Sequence, residues 1–144
     1  MVLIAYDGSD HAKAAIARAA ETLRHERALV ATAWTSFAES APHLVLRDVV
    51  RPVVDDLDAG GREDAEAMAA EGAELARAAG FDAEPRAVKA AGPFFGALLE
   101  AADAVDASVI VVGSRGRSTL AASVLGSVST GILHHTKRPV LVVQ

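Results

Sequence analysis

Ser108-Val109-Ile110-Val111-Val112-Gly113-Ser114-Arg115-Gly116 is the stretch on which the architecture turns. Its four apolar β-branched residues, Val109 to Val112, leave no polar face. A strand of that kind is buried on both sides, the habit of parallel sheets with helices on both faces. Gly113 ends the apolar run, a long glycine-containing loop follows, and Gly126-Ser127 opens a helix running to about His135.

Outward from this point the chain alternates. Val2 to Tyr6 is a short apolar run and a strand candidate; Asp7-Gly8-Ser9-Asp10 follows as a turn with N-cap groups. His11 to about Arg24 carries Ala12, Ile16, Ala19, Ala20 and Leu23 at helical spacing. Ala28 to Trp34 is the second strand. In Thr35 to Gly61, Leu46, Val49, Val50, Val53, Val54 and Leu57 also recur at helical spacing, but Pro52 interrupts them and predicts a broken or short helix. Gly60-Gly61 is read as a second break. Arg62 to Ala79 is then a helix with Met68, Gly72, Leu75 and Ala79 on one face, and Gly80 stands where a left-handed cap belongs. Ala83 to Ala90 is the third strand. Gly92-Pro93 starts a helix with Phe95, Leu98, Leu99, Ala102 and Val105 inward, and Pro139 to Val143 is the last strand. The order β-α-β-α-β-α-β-α-β predicts an α/β fold with a parallel sheet covered on both faces.

The 144 residues fit one domain, residues 1–144, with no internal repeat. Cysteine is absent, which excludes disulfides, thiolate metal sites and a thiol nucleophile. The formal net charge of −5 argues against nucleic acid as a partner, because no concentrated basic face is visible. The N-terminus reads as no signal peptide and no apolar run approaches a membrane span, so a cytoplasmic protein is expected.

The loop after the buried strand carries the chemistry. Gly113 and Gly116 can take positive φ and let the backbone come close to a ligand. Gly126, Ser127, Val128 and Ser129 begin a helix whose first amides lack partners and attract an anion, and the Ser127 and Ser129 hydroxyls add hydrogen bonds. Arg115 and Arg117 supply charge for a phosphate. On spacing alone a phosphate site and an ordinary βα connector both remain open. A Walker lysine, a Gly-x-Gly-x-x-Gly fingerprint and a Gly-x-Ser-x-Gly elbow are absent.

Gly113-x2-Gly116-x9-Gly126-Ser127 resembles the ATP-binding signature of the universal stress protein family. Val2 to Ser9 is similar to that family's opening strand and Asp-Gly-Ser turn, Val109 to Arg117 to its fourth-strand segment, and Arg138 to Val143 to its closing strand. The likeness spans about residues 2–35 and 62–144. It implies a single-domain, three-layer α/β/α sandwich around an open sheet of five parallel strands in the order 3-2-1-4-5. Asp7 and Gly113 would face one crevice at the switch point between strands 1 and 4. It further implies that Asp7 approaches an adenosine and that Ala33 offers backbone groups to the adenine edge. Gly113, Arg115 and Gly116 would line ribose and phosphates, and Gly126, Ser127, Val128 and Ser129 would hold the phosphates. ATP is the implied ligand, with Mg²⁺ or Mn²⁺ across its phosphates and slow or no hydrolysis. A homodimer through Pro139 to Gln144 is implied as well, and the apolar edge there independently invites pairing.

Competing readings stand beside these. An adenine-nucleotide α-hydrolase type of enzyme usually carries a Ser-Gly-Gly-x-Asp-Ser loop after strand 1, whereas this loop reads Asp7-Gly8-Ser9-Asp10. A nucleotide-free interaction module is the third reading. Asp7 could cap the first helix, as could Ser9 or Asp10. Trp34 could stack on a base or pack in the core. Phe94 and Phe95 read as helix packing. His134-His135 point about 100° apart on a helix and lack a carboxylate at ligand spacing, so they are read as favourable charges at a helix C-terminus. Asp55-Asp56-Leu57-Asp58 is read as a solvated acidic turn.

Overall fold

Alternation of side chains along β1 (Val2–Ala5) decides how the molecule is layered. Val2, Ile4 and Tyr6 project into one apolar cluster with Ala12 and Ile16, while Leu3 and Ala5 project into another with Leu98 and Ile132. A strand buried on both faces has to be central, and β1 is. In the computed structural model, which describes residues 1–23, 26–40, 50–117 and 125–144, it pairs in parallel with β2 (Arg27–Trp34) on one side and β4 (Val109–Gly113) on the other. β3 (Asp82–Lys89) and β5 (Val140–Val143) complete a five-stranded parallel sheet in the order 3-2-1-4-5, as the resemblance implied. The register runs Ile4 to Val30 and Ile4 to Val111 across the centre. Each fully buried side chain there, such as Ile4 or Ile110, contributes about 1.5–3 kcal/mol.

Helices α1 (Asp10–Thr22) and α3 (Arg51–Ala78) cover the first face, and α4 (Phe94–Ala104) and α5 (Ser127–His135) the second. Ser9, rather than Asp7, caps α1: its hydroxyl oxygen accepts from the Ala12 N–H at 3.2 Å. Arg24, the expected end of α1, lies outside the described residues. The single-turn α2 (Phe37–Ser40) follows β2. Pro85 falls within β3, where an edge strand tolerates its missing N–H.

Residues 51–79 correct the sequence reading in three ways. Pro52 starts a helix instead of breaking one, because in the first turn its missing N–H removes no intrahelical bond. Gly60 and Gly61 do not break it: α3 runs through both for 28 residues, and Asp55 to Asp58 lie inside it rather than in a turn. The pair costs about 2 kcal/mol of helix propensity, which packing of Val54 before it and Ala65, Ala69, Ala73 and Ala76 after it offsets. The inward face is also rotated from the one expected, since Leu75 is 38% exposed while the small residues face the sheet. Leu46 and Val49 lie outside the described residues. At the far end the expected cap is present. Gly80 has φ 102°, its N–H donates to the Arg77 carbonyl, and the Phe81 N–H donates to that of Ala76, the two bonds of a Schellman motif.

Two α3 glycines make a contrast that equilibrium denaturation can read. A Cβ at Gly60 would meet nothing within 4 Å, so Gly60→Ala should stabilise the protein by about 0.5–1 kcal/mol. A Cβ at Gly72 would sit 2.7 Å from the Tyr6 ring and 2.9 Å from Val30 Cγ1, both buried. Overpacking of that kind costs about 1–3 kcal/mol, which outweighs the helix-propensity gain of about 1 kcal/mol, so Gly72→Ala should have the lower urea midpoint. Equal midpoints for the two variants would contradict this account of α3.

Candidate functional site

Strands β1 and β4 lie side by side, and the chain leaves them for opposite faces of the sheet, β1 towards α1 and β4 towards α5. The gap beyond their C-terminal ends is the switch point at which open parallel sheets accept ligands. A crevice of about 950 Å³ occupies it, at the upper end of the roughly 300–1,000 Å³ of small-molecule sites. All ten residues singled out from the sequence line it: Asp7, Ala33, Gly113, Arg115, Gly116, Arg117, Gly126, Ser127, Val128 and Ser129.

The loop from β4 to α5 is tied at its base through Ser114, a residue the sequence reading passed over. The Ser114 N–H donates to the Val143 carbonyl at 2.6 Å, which fastens the loop to β5. Its own carbonyl accepts from the Gly126 N–H at 2.7 Å and lies 3.0 Å from the Ser129 hydroxyl. One buried carbonyl thus joins the entry of the loop to its exit and aims the start of α5 at the crevice. The Ser129 hydroxyl is turned inward, between the carbonyls of Ser114 and Gly126. The first intrahelical bond of α5 runs from the Thr130 N–H to the Gly126 carbonyl. The amides of Ser127, Val128 and Ser129 precede it and give the helix start its partial positive charge. Part of the nine-residue spacer, 118–124, lies outside the described residues.

The positive φ open to Gly113 and Gly116 is not used. Among the described glycines only Gly8, at 78°, and Gly80 have it. Space explains both loop glycines instead. A Cβ on Gly113 would lie 2.8 Å from the main-chain carbonyl carbon of His11, and one on Gly116 would lie 2.6 Å from Asp7 Oδ2. Gly113 lets α1 approach β4, and Gly116 makes room for a carboxylate. That carboxylate spans the switch point: Asp7 Oδ1 accepts from the Ser9 N–H at 3.1 Å, and Oδ2 accepts from the Arg117 N–H at 3.2 Å. Arg115 and Arg117 are exposed, and among the described residues neither guanidinium enters an ion pair.

Ala33 sits at the opposite wall. The Trp34 carbonyl accepts from Ala90 on the β3 side, and the Ala31 carbonyl accepts from Tyr6 on the β1 side. In a parallel ladder both groups of a residue point the same way and neighbours alternate. The N–H and C=O of Ala33 therefore point towards β1, beyond its last residue, into the crevice.

Other lining residues escaped the sequence reading. Asp64 and Met68 come from α3, and Phe94 and Phe95 line the crevice as well as packing their helix. Nothing in the periodicity of α3 says which of its turns reaches a site made elsewhere. Tyr6, 3% exposed, donates its phenol to Glu71 at 2.7 Å, and Lys13 Nζ lies 3.4 Å from the same carboxylate. Burial, then the bond to Glu71, pushes the phenol well above its ordinary range, so Tyr6 stays a neutral donor. His135 stacks on Phe95 with centroids 4.8 Å apart, and its Nδ1 lies 2.9 Å from the Gly131 carbonyl. Among the described residues there is no cluster of three or more His, Asp or Glu that could hold a metal ion. Asp58 pins α2, accepting from the Ser36 hydroxyl and the Phe37 N–H; the Ser36 bond above all holds its carboxyl below the usual range. Among the described residues no helix is long and apolar enough to cross a membrane.

Residues 1–144 match the model of the universal stress protein family. The chain is 31% identical over 145 residues to a Thermus aquaticus protein described as a universal stress protein in the QAH/OAS sulfhydrylase 3′ region, covering 99% of this chain and 97% of that one. A solved universal stress protein in complex with cAMP is 31% identical, with a TM-score of 0.70 over 99% of this chain and 95% of that one. The Archaeoglobus fulgidus universal stress protein in complex with dAMP is 21% identical with a TM-score of 0.68, covering 99% and 96%, a likeness of fold.

Proposed function

The chain belongs to the universal stress protein family, and from that premise we propose that it is a stress-response or regulatory protein that binds an adenine nucleotide, ATP, with slow or no hydrolysis. The observation that carries the reading is the pairing of two unlike walls across one crevice. At the Ala33 wall a donor and an acceptor stand together, the pattern that matches the Watson–Crick edge of adenine. At the other wall the start of α5 and two arginines that enter no ion pair among the described residues suit phosphates. A relative at 31% identity was solved with cAMP, and a more distant one with dAMP. Both are adenine nucleotides.

In this reading Gly113 and Gly116 keep the floor open for ribose and phosphate, and Asp7 holds the glycine loop against β1 close to the adenosine. Arg115, Arg117, the Ser127 hydroxyl and the main-chain amides of Ser127, Val128 and Ser129 receive the phosphates; the Ser129 hydroxyl, turned inward, takes no part. A Mg²⁺ or Mn²⁺ ion would ride on the phosphate oxygens and water, as Mg²⁺ usually does at nucleotide sites. The carboxylate of Asp7 already accepts two backbone bonds, which favours retention of the nucleotide over activation of a water. Homodimerisation through β5 belongs to the same proposal: β5 is an edge strand, and its Val140, Leu141 and Val142 are partly exposed.

The test is calorimetric titration of wild type and Gly126→Ala with ATP and Mg²⁺. A Cβ at Gly126 would meet Arg115 Cα and the Ser114 oxygen at 3.5 Å, ordinary contact, so the fold should be unchanged. It would nevertheless crowd the phosphates, and an affinity loss of about tenfold, roughly 1.4 kcal/mol, is expected. No saturable heat from wild type up to millimolar ATP would end the proposal. AMP and pyrophosphate accumulating over many turnovers would replace it with an α-hydrolase.

A further inference from the structure

Trp34 is the only tryptophan in the chain, and it stands on the rim of the crevice next to Ala33. Two neighbours flank it. Lys89 is its partner across the β2–β3 ladder, with Nζ 6.0 Å from the centre of the indole and 2.7 Å from Glu39. Gly61 of α3 lies above it, where a Cβ would be 3.9 Å from Cε3. Lys89 belongs to the edge strand β3, so it occupies the flank away from the sheet centre, while the crevice opens towards β1 on the other side. Phe95, Leu98 and Val128, which pack on the other face of the sheet, line the same crevice. An indole that is half-buried, braced on its outer side and adjacent to a polar main-chain pair is placed to take a flat aromatic group.

We propose that the indole of Trp34 is the platform on which the base of the bound nucleotide stacks, while the main chain of Ala33 reads its edge. The inference rests on the nucleotide reading above and deepens it by dividing the labour of recognition. Stacking on an aromatic ring is tolerant of base identity, because every base has a π-face. Affinity for the base therefore comes from Trp34, and preference for adenine from the donor–acceptor order at Ala33. Lys89 and Glu39 act on the ligand only by fixing the ring.

Two measurements test this on the full chain. AMP should change the emission of Trp34 saturably, whereas tripolyphosphate, which has no base, should leave it unchanged. Calorimetry of Trp34→Ala should show AMP affinity reduced by about 5- to 150-fold, tripolyphosphate affinity unchanged, and most of the AMP affinity retained in Trp34→Phe. GMP should bind wild type more weakly than AMP and lose affinity by a similar factor in Trp34→Ala. Saturable AMP binding to wild type with no change in emission and with equal affinity in Trp34→Ala would overturn the inference and leave the nucleotide reading standing. A parallel loss of AMP and tripolyphosphate affinity would make Trp34 a structural residue and overturn it as well. Wild type that binds ATP but not AMP would overturn the inference alone, because the base would then contribute too little to hold a monophosphate, and absence of both would remove both readings.

Discussion

Gly113→Ala should melt about 6–12 °C below wild type, the shift expected from a loss of about 3 kcal/mol in a domain of this size. The added Cβ would lie 2.8 Å from the carbonyl carbon of His11 and 2.9 Å from its oxygen and Cβ. These are mostly main-chain atoms in the first turn of α1, so no rotamer change relieves the contact and the helix itself must move. Overpacking against rigid neighbours falls at the upper end of the usual range of about 1–3 kcal/mol. Movement of His11 also carries Ser9 and, through it, the loop that presents Asp7 to the crevice. The variant should therefore lose nucleotide affinity together with stability. Gly126→Ala, with only ordinary contacts, separates the two effects. A Gly113→Ala protein with wild-type thermal stability in calorimetry would show that the close approach of α1 to β4 is not what glycine serves at this position.

A large effect on ATP binding should come from removing both arginines. Arg115→Ala/Arg117→Ala is expected to weaken ATP by about 10- to 100-fold, roughly 1.4–2.8 kcal/mol, while adenosine, which carries no phosphate, keeps its affinity. Both side chains are exposed, so each charge-assisted bond is discounted for solvent and screened by salt. The loss should consequently shrink as ionic strength rises. Stability should change little, because neither guanidinium enters an ion pair among the described residues and only the main-chain N–H of Arg117, which alanine retains, bonds to Asp7. Titration of ATP and adenosine at two salt concentrations reads all three points. Equal ATP affinity for variant and wild type would remove the arginines from the phosphate end of the site.

Local pattern was enough to read the alternation of strands and helices, the buried character of Ile110 to Val112 (Val109 is half-buried) and the cap at Gly80, because each depends on neighbours a few residues away. The glycine spacing likewise marked the loop that lines the crevice, since a strand end, small residues and a helix start follow one another in the chain. What periodicity could not supply was competition between a local cost and a distant gain. Gly60 and Gly61 look like a break, yet burial of Ala65, Ala69, Ala73 and Ala76 on the sheet carries α3 through them. Pro52 looks like an interruption until its place in the first turn is known. The strand order, as distinct from the strands, came from the resemblance and not from spacing.

By itself, then, the amino-acid order determined which segments are strand or helix outside residues 35–61, that the sheet is parallel and two-sided, and which loop has the composition of an anion site. Tertiary structure alone decided why Gly113 and Gly116 are glycines, through the His11 main chain and the Asp7 carboxylate lodged against them. It also decided that the Ser114 carbonyl closes the loop and that Trp34, Met68 and Phe95, from three different elements, share one crevice. Secondary structure follows from short-range sterics and side-chain period, whereas a site at a sheet switch point is made of surfaces whose separation in the chain exceeds any local pattern.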